Sequence, residues 1–266
     1  MMRAAPFRIL VWTVVIFNIV FLGLPTVVIV AASFTAGDLL TFPPEGLSLR
    51  WYGRLAAMPE FHEALVRSLY VASICTAFSI PAGTLAALAM VRYRIRFART
   101  LQLYFLLPFT VPLVVSGIGM MYVFGEVGVL GRLWPVGLAA CAINLPFMIW
   151  SVSASVNRLD PDLENAAANC GATPLQAFFT VTIPALMPGI ITGALLMFIL
   201  AMNEFIVSIF LVDARIVTLP VWMFTSIRNI ITPDLAAVSV VYILFALLSI
   251  WALDRWVGLD IFLRSK

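Results

Sequence analysis

Residues 164–188, ENAAANCGATPLQAFFTVTIPALMP, form a polar, helix-patterned segment wedged between apolar runs long enough to cross a membrane. Just upstream, Asp160 can cap a helix whose first residue is Pro161, where the missing N–H costs nothing. Asp162 falls in the first turn, at the positive end of the helix dipole. Leu163, Ala166, Ala167 and Cys170 follow at i, i+3, i+4 and i+7, one face of a helix. Gly171 suits the left-handed position past its end. A second start comes at once. Thr173 as cap, Pro174 at the first position and Gln176 at the third make a capping box. Leu175, Phe178, Phe179 and Thr182 give this second helix a sparser apolar face, and Pro184 and Pro188 punctuate entry into the next apolar run. The expectation is a preformed helix–turn–helix knob within about 158–185. Its small alanines admit a partner surface, and Glu164 and Asn165 are placed for polar contacts at the rim.

The competing reading is an amphipathic helix lying on lipid. Such helices usually bear Lys or Arg on the polar face. This segment has none between Arg158 and Arg215 and is acidic at its start, which argues against an anionic lipid surface.

Outward from the knob, composition decides the solvent. The chain has 266 residues, 63% hydrophobic and 11% charged, with mean hydropathy +1.07. A soluble domain carries roughly 25% charged residues, so lipid is the surrounding medium. A helix needs ~20 mostly apolar residues to cross the hydrocarbon core. Six such runs are present, at about 9–33, 66–91, 101–124, 133–156, 186–212 and 235–257. Their continuity favours helices over a barrel, whose strands are shorter and alternate. The expected fold is an all-α polytopic membrane protein, a single transmembrane domain spanning 1–266. The first run is too long for a cleaved signal peptide, despite Ala31-Ala32-Ser33 at its end.

Basic residues set the orientation. Arg3, Arg8, Arg92, Arg94, Arg96, Arg99, Arg158, Arg255, Arg264 and Lys266 gather on one side, ten against six on the other. Both termini and the 158–185 loop are therefore expected in the cytoplasm. The net charge of +3 reflects this anchoring and does not indicate nucleic acid. Cys75 and Cys141 fall within apolar runs and Cys170 in the cytoplasmic loop, so no disulfide is expected. With His62 the only histidine and the cysteines scattered, no metal site is expected either.

The 34–65 connection mixes prolines with Trp51 and Tyr52, as a loop at headgroup level does. The 213–234 connection, containing TLPVWMF, is too apolar to be free in water and predicts a short surface or re-entrant helix. Internal prolines at 25, 81, 108, 112 and 146 kink helices, either for packing or to line a pathway. Gly189 and Gly193 form a GxxxG that favours close packing within the chain over dimerisation.

Glu204 is the only acid or base within the core of an apolar run. Such a charge costs ~2.5–3.5 kcal/mol at a membrane helix centre. It therefore faces a cavity, pairs, or is protonated. Asn203 precedes it, and Asn144, two runs back, can share the same interior. These three residues are candidates for a substrate pathway, with a polar clamp between helices as the alternative.

The segment resembles the EAA loop of ABC-importer permeases, with pattern E-A-A-x3-G-x9-I-x-L-P. Here Asn165-Ala166-Ala167 is followed by Gly171 in register, then after nine residues by Val181-Thr182-Ile183-Pro184. Asn165 stands for Glu, Val181 for Ile and Ile183 for Leu, and Glu164 can supply the acid. LSLRWYGRL at 47–55, RYRIRF at 92–97, FILAMNEFIVSIFL at 198–211 and TLPVWMF at 218–224 are similar to the second permease subunit of spermidine/putrescine-type importers. The resemblance implies a MetI-like bundle of six helices in the bacterial inner membrane with a cytoplasmic coupling helix pair. The coupling residues would be Glu164, Asn165, Ala166, Ala167, Gly171, Ala172 and Pro184. Implied partners are a homologous permease, a cytoplasmic ATPase dimer and a periplasmic solute-binding protein. Implied cargo is a small cationic or amino-bearing solute, with polyamines first and aminoethylphosphonate or opines as alternatives. In that family an acidic pair occupies the place of Asn203-Glu204.

The chain cannot hold ATP in a P-loop, since its only lysine is Lys266. ATP is expected on the partner, with no cofactor and no catalytic residue here. A self-contained secondary transporter is the runner-up, but no internal repeat or paired ion-binding residues support it. An intramembrane enzyme lacks its constellation of histidines or paired acids.

Overall fold

The computed structural model describes residues 4–93, 95, 97–213, 215–229 and 232–257. Arg3, Arg94, Arg96, Arg264 and Lys266, used above for orientation, lie outside the described residues, as do the side chains of Arg99 and Arg255. The described chain is helical, with one isolated bridge between Thr35 and Leu47. Its contacts divide it into two units, residues 1–61 with 223–245, and residues 62–222 with 246–266.

In the first unit, α1 (Ala4–Ser33) carries the first apolar run, and a loop leads to α2 (Arg50–Ala56). This loop is more tightly folded than its mix of prolines and aromatics suggests. The Trp51 indole is buried and donates its Nε1–H to the Thr35 carbonyl at 2.9 Å. Thr35 Oγ1 accepts the N–H groups of Gly37 and Glu45, and the Arg50 guanidinium meets Asp38 at 2.6 Å. The loop folds on its own polar groups, so Trp51 serves its core rather than the lipid boundary.

The second unit holds the tightest packing. α3 (Pro59–Arg92), α6 (Leu133–Val156) and α9 (Ile183–Met202) meet where side chains are smallest. A Cβ on Gly189 would lie 2.5 Å from Ser155 Oγ and 2.8 Å from the Ser151 carbonyl, and Ser151 Oγ donates to the Gly189 carbonyl at 2.8 Å. The fully buried Met148 side chain fills the slot between Gly83 and Gly193. The GxxxG thus seats α9 on α6 of the same chain. Close backbone approach of this kind holds helices where lipid removes the hydrophobic incentive to associate.

Two expected runs are broken. The third becomes α4 (Ala98–Thr110) and α5 (Leu113–Glu126), bent by 101°. Pro112 forces the residue before it out of the helical region, and Val111 is extended at φ −89°, ψ 130°. The fifth run ends at Met202 and resumes as α10 (Ile206–Leu211), with Asn203, Glu204 and Phe205 between. Val71, Val136, Ala139 and Ile143 pack against Val207 and Leu211 to anchor α10 on α3 and α6.

A short α11 (Leu219–Asn229) lies in the 213–234 connection, its Leu219 N–H donated to Ser68 Oγ at 2.8 Å. α12 (Pro233–Val257) covers the sixth run, with its described apolar part at 233–248. By length and apolarity four described helices qualify as spans, or five with the bent pair counted as one, where the sequence suggests six.

Candidate functional site

The knob is built from local chemistry. Asp160 Oδ1 accepts the Asp162 N–H at 3.0 Å, opening α7 (Asp162–Asn169). Gly171 closes it at φ 89°, and the Ala172 N–H returns to the Ala167 carbonyl at 3.0 Å. The next start has both halves of the capping box: Gln176 N–H to Thr173 Oγ1 at 3.3 Å and Thr173 N–H to Gln176 Oε1 at 2.8 Å.

The second helix does not stop before the membrane, as the prolines suggest. α8 (Pro174–Ala177) continues through a π-turn at Phe178–Thr182 into α9, one helical run from Pro174 to Met202. Proline in a helix clashes with the carbonyl four residues earlier. The wider turn directly ahead of Pro184 absorbs that clash. The second helix of the knob is therefore a continuous extension of α9.

No residue of α7 is buried. Leu163, Leu175 and Phe179 are 49%, 68% and 61% exposed, and Asn165, Ala166, Gly171 and Pro184 are exposed with them. Ala167 and Ala172 are half-buried. The apolar stripe of α7 is thus unspent within the chain. Asn165 Nδ2 reaches Asp162 Oδ1 at 3.2 Å.

Glu164 is placed differently from the rim position expected of it. Its carboxylate turns inward and takes both arms of the Arg92 guanidinium, each at 2.5 Å. It also accepts the Thr182 hydroxyl of the π-turn. Less than a third of either charged side chain is exposed. A hydrogen bond to a charged group contributes ~1.5–3 kcal/mol. A forked Arg–carboxylate pair fixes orientation as well as distance. The pair lines an open pocket of about 450 Å³ together with Leu85, Leu88, Ala172 and Phe178. Arg92 and Thr182 carry no signal as partners in the sequence, since they stand 72 and 18 residues from Glu164.

The second cluster lies at the two helix breaks. Asn144 and Glu204 line one cavity of about 450 Å³ together with Phe109, Thr110 and Pro112 of the bent pair. Glu204 Oε1 accepts the Val207 N–H at 2.9 Å, and the Ser208 hydroxyl donates to the Glu204 carbonyl at 2.9 Å. The acid therefore caps α10, whose first N–H groups have no helical partner. Asn144 Nδ2 donates to the Ala140 carbonyl at 3.0 Å. Asn203 is not among the residues of this cavity; it is exposed, and its amide returns to the Ile199 carbonyl at 2.8 Å. The structure thus joins two of the three candidate pathway residues. The Pro112 corner completes the cavity, and its sequence signal was the close pair Pro108 and Pro112.

Several known proteins are similar to this chain in sequence or in fold. The putrescine transport system permease protein PotI of Escherichia coli K12 is 30% identical over 244 residues, 88% of this chain and 85% of its own. A putative 2-aminoethylphosphonate transport system permease, PhnV of Salmonella choleraesuis, is 30% identical over 90% of this chain and 92% of its own. The molybdenum transport system permease ModB of Mycobacterium tuberculosis is 30% identical over 73% and 79%. In fold, the chain matches a subunit of a bacterial ABC transporter that imports the acidic polysaccharide alginate. The TM-score is 0.72 at 15% identity over 95% of both chains. A model of the family described as binding-protein-dependent transport system inner membrane component matches residues 79–259. The chain belongs to that family, as a multi-pass permease subunit of an ABC importer with the MetI-like fold.

Proposed function

We propose that this permease imports a small amino-bearing cation, with polyamines such as putrescine first, and that its knob is where a cytoplasmic ATPase dimer grips it. The observation that carries the coupling reading is the uncovered apolar stripe of α7 on a capped, continuous extension of α9. A handle whose apolar face is largely exposed among the described residues fits a cleft on a partner. ATP is bound and hydrolysed by that partner, and this chain holds no cofactor. ATP binding draws the partner's halves together and moves the knob. The membrane helices then exchange between inward-open and outward-open arrangements, each stabilised by its own ligand. A homologous permease completes the pathway, and a periplasmic solute-binding protein delivers the solute. The related alginate importer's structure with its periplasmic protein supports that partner. Both termini and the knob lie on the cytoplasmic side.

The solute reading rests on the cavity shared by Glu204 and Asn144. An intramembrane carboxylate attracts an amine and repels an oxyanion, which favours the chemistry of the PotI solute over molybdate. Aminoethylphosphonate, which also carries an amine, is the second reading.

Titrating the cognate purified binding protein with putrescine, spermidine, aminoethylphosphonate and molybdate tests the solute. Tightest binding of a polyamine supports the reading. Tightest binding of molybdate contradicts it. Recovery of the ATPase with the tagged permease tests the coupling.

A further inference from the structure

We infer that Arg92 is a transmission residue: it ties the knob to α3, so that α3 moves with the handle and carries its displacement to the segment bearing Glu204. The inference rests on the proposed docking of an ATPase on the knob and adds the route by which that force leaves it.

Several joints tie the knob to the rest of the second unit. Residues 157–161 lead into it from α6, and the π-turn leads out of it into α9. Another joint is not covalent. Arg92, at the last position of α3, grips Glu164 of α7 with both guanidinium arms, while Thr182 holds the same carboxylate from the π-turn. One carboxylate therefore unites α3, α7 and the start of the α9 run.

α3 is suited to relay a push. Val71 lies 21 residues before Arg92, about 30 Å along a helix at ~1.5 Å per residue. Val71 belongs to the cluster that includes Val207 and Leu211 of α10, the helix capped by Glu204. Between these ends α3 touches α6 and α9 closely: a Cβ on Gly137 would lie 2.7 Å from Ile74, and Met148 lies against Gly83. Cys75 Sγ faces the Met197 carbonyl at 3.9 Å. The forked geometry matters because it resists rotation as well as separation, which a point charge on a lysine does not.

The test uses the complete importer in liposomes, with partner permease, ATPase and loaded binding protein, and reads solute uptake per ATP hydrolysed. Arg92→Ala and Glu164→Ala are each expected to copurify with the ATPase and hydrolyse ATP, while uptake per ATP falls about tenfold, within the range of measured couplings between contacting residues. The double variant is expected to fall no further than either single one. Arg92→Lys is expected to lie between wild type and Arg92→Ala. If Arg92→Ala fails to fold, Glu164→Gln keeps the side-chain volume and gives the same readout. Unchanged uptake per ATP in assembled single variants overturns the inference, as does additive loss in the double. Loss of the ATPase from the variants alone also overturns it, by showing that the pair merely shapes the docking surface. Failure of the wild-type chain to recover any ATPase defeats the docking reading instead.

Discussion

Glu204 accepts the backbone N–H of Val207 at 2.9 Å and shares its cavity with Asn144, so one carboxylate both caps α10 and faces the interior. The two roles separate by substitution. Glu204→Gln keeps an oxygen that can accept the Val207 N–H and removes the charge. It is expected to leave thermal stability nearly unchanged while uptake of an amine solute falls about tenfold or more, a loss of ~1.4 kcal/mol. Glu204→Ala is expected to lose the cap as well, lowering stability by ~1 kcal/mol. Uptake assays and thermal unfolding on the same preparations check both. Unchanged uptake in Glu204→Gln removes this acid from the pathway.

The α6–α9 seam tolerates no added volume. Gly189 meets Ser155 and the Ser151 carbonyl, and Gly193 meets Met148. Gly189→Val forces α9 away from a backbone carbonyl and is expected to cost at least ~1–3 kcal/mol. Gly53, by contrast, has open space where its Cβ would stand, so Gly53→Ala avoids that clash. Thermal unfolding in detergent should rank Gly189→Val far below Gly53→Ala.

Ala166 is exposed on a helix with no buried residue. Ala166→Asp is therefore expected to change the chain's own stability by less than ~0.5 kcal/mol, as surface changes usually do. The same substitution puts a charge on the apolar stripe and should sharply reduce the ATPase recovered with the tagged chain. Paired melting and copurification measurements distinguish this from a folding defect.

Pro112 keeps Val111 extended and turns α4 from α5 by 101°. Pro112→Ala restores an N–H and lifts the steric bar on a helical Val111. The corner is expected to straighten in part and disturb the cavity at Thr110, Asn144 and Glu204. Uptake should drop while the chain remains folded and able to recover the ATPase.

The local parts of this architecture were legible in the sequence. Thr173, Pro174 and Gln176 specify their capping box within four positions, and Gly171 announces its left-handed turn, because both depend only on neighbours along the chain. Pro108 and Pro112 signalled a kink near Val111 without its extent, and the break at Asn203–Phe205 was not legible as a break. Apolar residues flank them on both sides, and periodicity has nothing to register when a helix is apolar all round. Trp51 misled for a related reason. An indole suits a lipid boundary and a small buried core equally well, and its bond to Thr35 settles the matter only in three dimensions. Arg92 stood among arginines that look like membrane anchors, and its pairing with Glu164 spans 72 residues with no shared period.

In the proposed mechanism, force enters through the 158–185 knob. A photo-reactive side chain substituted at Ala166, activated in membranes containing the full importer, tests it most directly. A covalent adduct with the nucleotide-hydrolysing subunit is the expected result. Adducts with lipid alone, in membranes where that subunit is present and assembled, would contradict it.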